Sequence, residues 1–166
     1  TLTKERETKM AEYVTLEKLP TLLAVPPRTN HVREVATDTT YERGLNVNFA
    51  INEKTCGAKR LTFGRTIIPP HTANERHVHL NCEAGMHVIK GTMVLLLGPE
   101  AKIIKCPEGT FVFSPEGVIH GVANASRTEE VILVFAYGGV PSKEAARTVF
   151  IDDSKNEYPP KGWDEE

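Results

Sequence analysis

The sequence predicts an all-β domain, a small barrel or sandwich, on three observations. From residue 60 onward, short runs rich in β-branched and aromatic residues recur between glycine or proline turns, the pattern of antiparallel strands rather than of βαβ units. Leu45-Asn-Val-Asn-Phe-Ala-Ile51 alternates apolar and polar residues, as a half-buried strand does. In His77-Val-His79 the i, i+2 spacing puts both imidazoles on one face of a strand, because successive side chains point to opposite sides.

Length and charge narrow the setting. A chain of 166 residues, 40% hydrophobic and 25% charged, fits one globular domain with an ordinary core. The net charge is −2, with Lys and Arg scattered among the acids. There is neither a basic stripe to track phosphates nor a polybasic lipid anchor, so nucleic acid and membrane are not expected partners. No apolar run approaches the roughly 20 residues of a spanning helix, and Thr1-Leu-Thr-Lys-Glu-Arg-Glu7 lacks a signal-peptide core. The expected location is cytoplasmic. Cys56, Cys82 and Cys106 are odd in number, widely spaced and free of C-x-x-C pairing, as reduced, buried thiols would be. Cys82, three residues after His79, is a candidate to line a pocket there. Asn124-Ala-Ser126 matches a glycosylation sequon, read as coincidence without a secretory signal.

Taken in order, the chain opens with a charged segment to about Tyr13, a frayed helix or a disordered arm. Residues 16–25 are apolar without periodicity, Pro26-Pro27 breaks any helix, and residues 30–43 read as loop or edge strand. Strands are expected at 45–51, 60–68, 77–80, 86–89, 93–97, 101–106, 110–113, 119–123 and 131–137. After Gly138-Gly139, residues 142–147 suit a short helix, 148–151 a strand, and the acidic tail with Pro159-Pro160 coil. The expected bounds are an N-terminal arm over 1–40, a barrel over 41–152 and a tail over 153–166.

A third histidine joins the pair. In Gly109-Thr-Phe-Val-Phe-Ser-Pro115-Glu-Gly117-Val-Ile-His120-Gly-Val-Ala-Asn124, glycine and proline set a tight turn that feeds a strand carrying His120. Three imidazoles on neighbouring strands make a transition-metal site of His77, His79 and His120.

The stretch Gly109 to Asn124 resembles the second cupin motif, glycine, five residues, Pro-x-Gly, two residues, His, three residues, Asn, with every fixed position filled. His77-x-His79 through Gly91 is similar to the first cupin motif, in which His-x-His precedes a glutamate and a turn glycine. The resemblance spans about residues 60–137. It implies a single cupin jelly-roll β-barrel with short N- and C-terminal extensions, a divalent metal inside, and pairing as a homodimer.

The departures matter as much. The family's glutamate ligand stands four or five residues after the second histidine and seven before the glycine; Glu83 is four after His79 but eight before Gly91. The glycine that should open the motif, six residues before His77, is His71. Two registers stay open. If Gly91 sets the register, Ala84, Met86 and Val88 face inward, Glu83 turns away and the metal rests on three neutral histidines. If the histidines set it, a bulge brings Glu83 to the metal, and His87 can turn inward beside it. The first is preferred because no reason for a bulge is visible.

Further candidates are His71 or Glu75 at the pocket mouth, with His71 and Glu83 as possible acid–base groups, and Arg65, in a barrel strand, to hold an anion. Met86, Val94, Leu96, Phe111, Phe113 and Phe135 read as core rather than as a specificity box. Three neutral imidazoles leave a metal its full divalent charge, which favours anionic substrates chelating through two oxygens. With Fe(II), the first choice, the expected reaction is that of a dioxygenase. With Zn, Mn or Ni it is Lewis-acid isomerase or lyase chemistry. A noncatalytic small-ligand-binding cupin is the third reading.

Overall fold

The computed structural model describes residues 27–165; the expectations for the segment to Tyr13 and for residues 16–25 lie outside the described residues. The elements in chain order are β1 (Thr37–Asp38), β2 (Asn46–Ile51), α1 (Glu53–Cys56), β3 (Leu61–Ile68), β4 (Thr72–Ala73), β5 (His77–His79), β6 (Ala84–Lys90), β7 (Thr92–Leu97), β8 (Lys102–Pro107), β9 (Phe111–Ser114), β10 (His120–Asn124), β11 (Val131–Gly138), α2 (Lys143–Ala146) and β12 (Thr148–Phe150). One antiparallel sheet has the order β1-β2-β3-β11-β6-β9 and the other β12-β5-β10-β7-β8, with β4 paired to β10. Residues 30–43, read as loop or edge strand, supply β1 at the edge of the first sheet.

Alternation places the core. On β11, Val131, Leu133, Phe135 and Tyr137 are buried while the residues between them are half-buried, so this central strand presents one apolar face to the interior. Val47 and Phe49 of β2, Ala84 and Val88 of β6, and Met93 and Leu95 of β7 join them in one cluster. Residues 93–96 are buried throughout, because the two faces of β7 serve different clusters. Val94 and Leu96 point away from the main core, toward Ala123 and Ala125, and there Tyr158 and Trp163 of the C-terminal segment pack over them.

That segment is tied down by Arg76, whose guanidinium donates to both carboxylate oxygens of Asp153 at 2.8 and 2.5 Å. Gly121 permits the docking: a Cβ there would lie 2.1 Å from the Tyr158 hydroxyl. The short helix α2 has Ser142 as its N-cap, the side chain accepting from the Ala145 N–H at 3.2 Å. Gly91 turns β6 into β7 with φ +79°, a conformation that suits glycine.

Two expectations meet particular outcomes. Phe111 and Phe113, read as core, are 78% and 64% exposed. The correction follows from strand alternation, since Ser114 is the buried residue of β9 and Val112 the one packed against the core. Phe111 instead stacks on His87 across the outer face, ring centroids 3.9 Å apart. Asn124 of the sequon is fully buried, and its Nδ2 donates to the carbonyls of Ile68, Pro69 and Glu129 at 3.1, 3.1 and 2.7 Å. The side chain is a strap between loops, with no donor hydrogen facing solvent.

Candidate metal centre

The i, i+2 spacing on β5 turns His77 and His79 to the same side, and the antiparallel pairing of β5 with β10 sets His120 directly opposite His77. All three rings are buried, with centroids 4.9 Å (His77–His79), 4.6 Å (His77–His120) and 5.3 Å (His79–His120) apart. One ring nitrogen of each lies within 4.8 Å of the other two.

Hydrogen bonds decide which nitrogen that is. His77 Nδ1 donates to the Glu75 carbonyl at 3.0 Å, and His120 Nδ1 to the Val118 carbonyl at 3.0 Å with Ser114 Oγ beside it at 3.2 Å. A carbonyl oxygen only accepts, so both Nδ1 atoms carry the proton and both Nε2 atoms keep a free lone pair. His79 Nδ1 meets Thr148 Oγ1 at 2.9 Å; Thr148 meets the Tyr41 hydroxyl at 2.5 Å, and Tyr41 donates to the Tyr137 hydroxyl at 3.4 Å. Run from His79 outward, His79, Thr148 and Tyr41 each donate to the next oxygen, and in that direction His79 too presents a bare Nε2.

Burial holds the imidazoles neutral. Desolvation first, and then the neighbouring rings, push His79 down to about 3 and His120 to about 4; the latter is lifted in part by Val118 and Glu42. Burial likewise lowers His77. Three converging neutral Nε2 atoms, each oriented by an oxygen behind it, are the donor set a borderline divalent ion takes.

The facing wall comes from the other sheet: Thr66, Ala84, Met86, Leu133, Phe135 and Tyr137. It is mostly apolar, and the Tyr137 ring lies 4.7 Å from that of His79. The cavity between the two sheets is about 30 Å³, room for an ion and a water or two.

Glu42 and Asn74 also line this space, and sequence reasoning did not single them out. Glu42 Oε1 is 3.9 Å from His77 Nε2 and its other oxygen accepts from Asn74 Nδ2 at 2.7 Å. With His77 neutral, the contact with Glu42 is not an ion pair. Burial raises the Glu42 carboxyl above its usual range, against the Asn74 hydrogen bond and the nearby His120. Glu42 is one acid among 22 and its approach is purely tertiary, so no local pattern marked it.

The remaining candidates lie elsewhere. Ala84 and Met86 face the cavity, as the Gly91 register expects, and Glu83 is exposed and outside the histidine cluster. His87 is on the outer face, its Nδ1 3.3 Å from the Thr110 carbonyl. His71 sits in a turn with φ +49° and stacks on Trp163, centroids 5.1 Å apart. Arg65 projects opposite to the buried Thr66 and donates to Asn48 Oδ1 at 3.0 Å. Glu75 reaches Arg43 at 3.8 Å on the surface. Cys82, expected to line the pocket, is instead a core residue and not among those lining the cavity, and burial raises its thiol to about 11.

No protein-family profile and no curated protein sequence matches the chain. Solved structures do. The polyketide cyclase RemF from Streptomyces resistomycificus aligns with TM-score 0.60 at 18% identity, over 68% of this chain and 80% of that one. An oxalate oxidase in complex with the substrate analogue glycolate aligns with TM-score 0.57 at 18% identity, over 74% and 63%. The Cnp3 cupin domain from Schizosaccharomyces pombe aligns with TM-score 0.53 at 11% identity, over 67% and 68%. Among the described residues, no helix is long and apolar enough to cross a membrane.

Proposed function

The chain has the cupin fold, and on that scaffold we propose a metal-dependent enzyme for small molecules, with His77, His79 and His120 as metal ligands and dioxygenase chemistry on a chelating, anionic organic substrate as the first reading. The observation that carries it is the shared orientation of the three imidazoles: each Nδ1 is engaged by an oxygen, leaving three Nε2 lone pairs directed at one buried point. Nothing in packing alone asks for three buried imidazoles with free acceptor nitrogens, since unpaired buried polar atoms cost stability.

When bound, a divalent metal supplies Lewis acidity and, as Fe(II), access to oxygen chemistry. The protein's own residues do the rest. The neutral histidines hold their lone pairs ready without competing protons. Thr148 and the Glu75 and Val118 carbonyls fix ring orientation. Met86, Leu133 and Phe135 exclude water and strengthen electrostatic attraction for an anionic chelator. The narrow space favours ligands of few atoms, and the oxalate oxidase of the same fold carries glycolate, a small hydroxy acid.

A second reading, a Lewis-acid isomerase, cyclase or lyase, is favoured by the donor set itself, since three neutral ligands leave the ion's charge undiminished without requiring redox change. The fold neighbour RemF is named a cyclase. Elemental analysis of protein purified without added metal, alongside His120→Ala and an oxygen-electrode trace against hydroxy acids and diketones, separates them. Iron near one per chain, lost in the variant, with oxygen consumption supports the first. Zinc, manganese or nickel without oxygen uptake supports the second, and absence of metal overturns both.

A further inference from the structure

Glu42 belongs to neither histidine strand, yet its carboxyl opens into the same cavity. We infer that Glu42 is the carboxylate ligand of the metal centre, supplied by the segment that precedes β2. The inference rests on the histidine reading above and amends its donor set, since a Glu42 carboxylate offsets one of the ion's two positive charges.

Three observations carry it. The first is reach. Glu42 Oε1 stands 3.9 Å from His77 Nε2, the nitrogen free to ligate. Two oxygen or nitrogen ligands of one ion, with bonds of about 2.0–2.2 Å, lie at most about 4.4 Å apart, so one ion can touch both atoms.

The second is charge. A buried carboxylate is stable when it has a cationic partner or a metal. Even the half-buried acids of this molecule keep that rule: Asp153 has Arg76, and Asp38 has Lys143. Among the described residues, Glu42 has no Lys or Arg in salt-bridge reach; its neighbours are the Asn74 amide and imidazoles. A cation bound by the histidines is the missing partner.

The third is aim. Asn74 is fully buried, and its carboxamide donates to Glu42 at 2.7 Å while accepting from the Val122 N–H at 2.8 Å; its own N–H donates to the Val122 carbonyl at 3.0 Å. Val122 stands two residues after His120 on the same face of β10. Glu42 is thereby anchored, through one oxygen, to the strand that carries a ligand histidine, and the other oxygen is left toward the cavity. With Oε2 engaged by Asn74, Oε1 is the atom that faces the free Nε2 of His77.

The test titrates metal-free protein with Zn(II) alone, in competition with a chromophoric chelator, and records the visible absorption of the Co(II)-loaded form. Wild type, His120→Ala and Glu42→Gln are compared; glutamine keeps an oxygen for Asn74. Tight binding in the wild type, its loss in His120→Ala, at least tenfold weaker binding in Glu42→Gln and a changed Co(II) spectrum are expected. Glu42→Gln within twofold of wild type with an unchanged spectrum overturns the ligand role and leaves the histidine centre standing. Equal binding by wild type and His120→Ala, or none by wild type, overturns the histidine reading and this inference with it. Should Glu42→Gln fail to fold by circular dichroism, Glu42→Ala with added formate replaces it. Affinity restored by formate supports a carboxylate on the metal, and indifference to formate overturns it.

Discussion

The Thr148 hydroxyl, on the last strand of the domain, is hydrogen-bonded to His79 Nδ1 at 2.9 Å across 69 residues of chain. Thr148 is paired with His79 in the β12–β5 register, so the contact is a cross-strand side-chain pair with a chemical task. Behind it stands Tyr41, whose hydroxyl is raised to about 12 by burial and therefore stays a proton donor at any ordinary pH. The C-terminal strand and the segment before β2 thus both orient a histidine of β5.

Thr148→Val removes that acceptor and keeps the shape. Metal affinity should fall by about 10- to 100-fold, the usual effect of losing an oxygen that orients a ligand histidine. Chelator competition measures it, and unchanged affinity would mean that His79 needs no such support.

Replacing His77, His79 or His120 with Ala should abolish stoichiometric metal. In wild type, metal at 100 times its Kd adds about 2.7 kcal/mol to stability. Each variant should show no such gain in thermal unfolding with and without metal; a full gain would remove that histidine from the site.

Glu83→Gln should leave metal content as in wild type and stability within about 0.5 kcal/mol, as expected of an exposed side chain outside the cluster. Metal loss in this variant would favour the bulged register, in which the Glu83 carboxylate turns inward.

The metal-free protein should lose stability on acidification below pH 6.5. His79 and His120 are lowered to about 3 and about 4 in the fold, and His77 is lowered too. The unfolded chain therefore binds more protons between 6.5 and those values, and stability falls with pH by up to about 1.4 kcal/mol per unit for each histidine. Glu42, raised by burial, acts in the opposite sense above its ordinary value of 4.5, so the slope should be steeper in Glu42→Gln. Urea unfolding at stepped pH checks this; a flat profile would show that the three rings are not buried neutral.

Asn124→Ala should cost about 3 kcal/mol, since three carbonyls lose a shared donor and the Ser126 N–H loses its acceptor at 3.1 Å. Denaturant titration measures it, with metal stoichiometry of the folded protein expected to be unchanged.

How far the sequence reaches depends on the range of the interaction. The period of two in β5 and β11 is local, so strand identities and the shared face of His77 and His79 are legible in order. So is the turn before His120, because glycine and proline write backbone dihedrals into the chain. The choice between the two registers was open in the sequence, since it depends on where β6 bulges: β6 pairs regularly with β9, and with β11 from the cavity-facing Ala84 and Met86 to Val88, and its one shift against β11 falls at Ile89, beyond the cavity-facing residues.

What only the tertiary structure decided is everything that crosses from one element to another: the outward turn of Phe111 and Phe113, the packing of Trp163 on His71, and the Thr148–His79 contact. Glu42 is the clearest case. A carboxylate carries no periodicity, and its meaning arises when Asn74, fixed by β10, draws it beside His77. The sequence by itself determined the strands and three histidines on two of them; the fold, by bringing distant polar groups into one buried space, decided which nitrogens are free and which acid faces them.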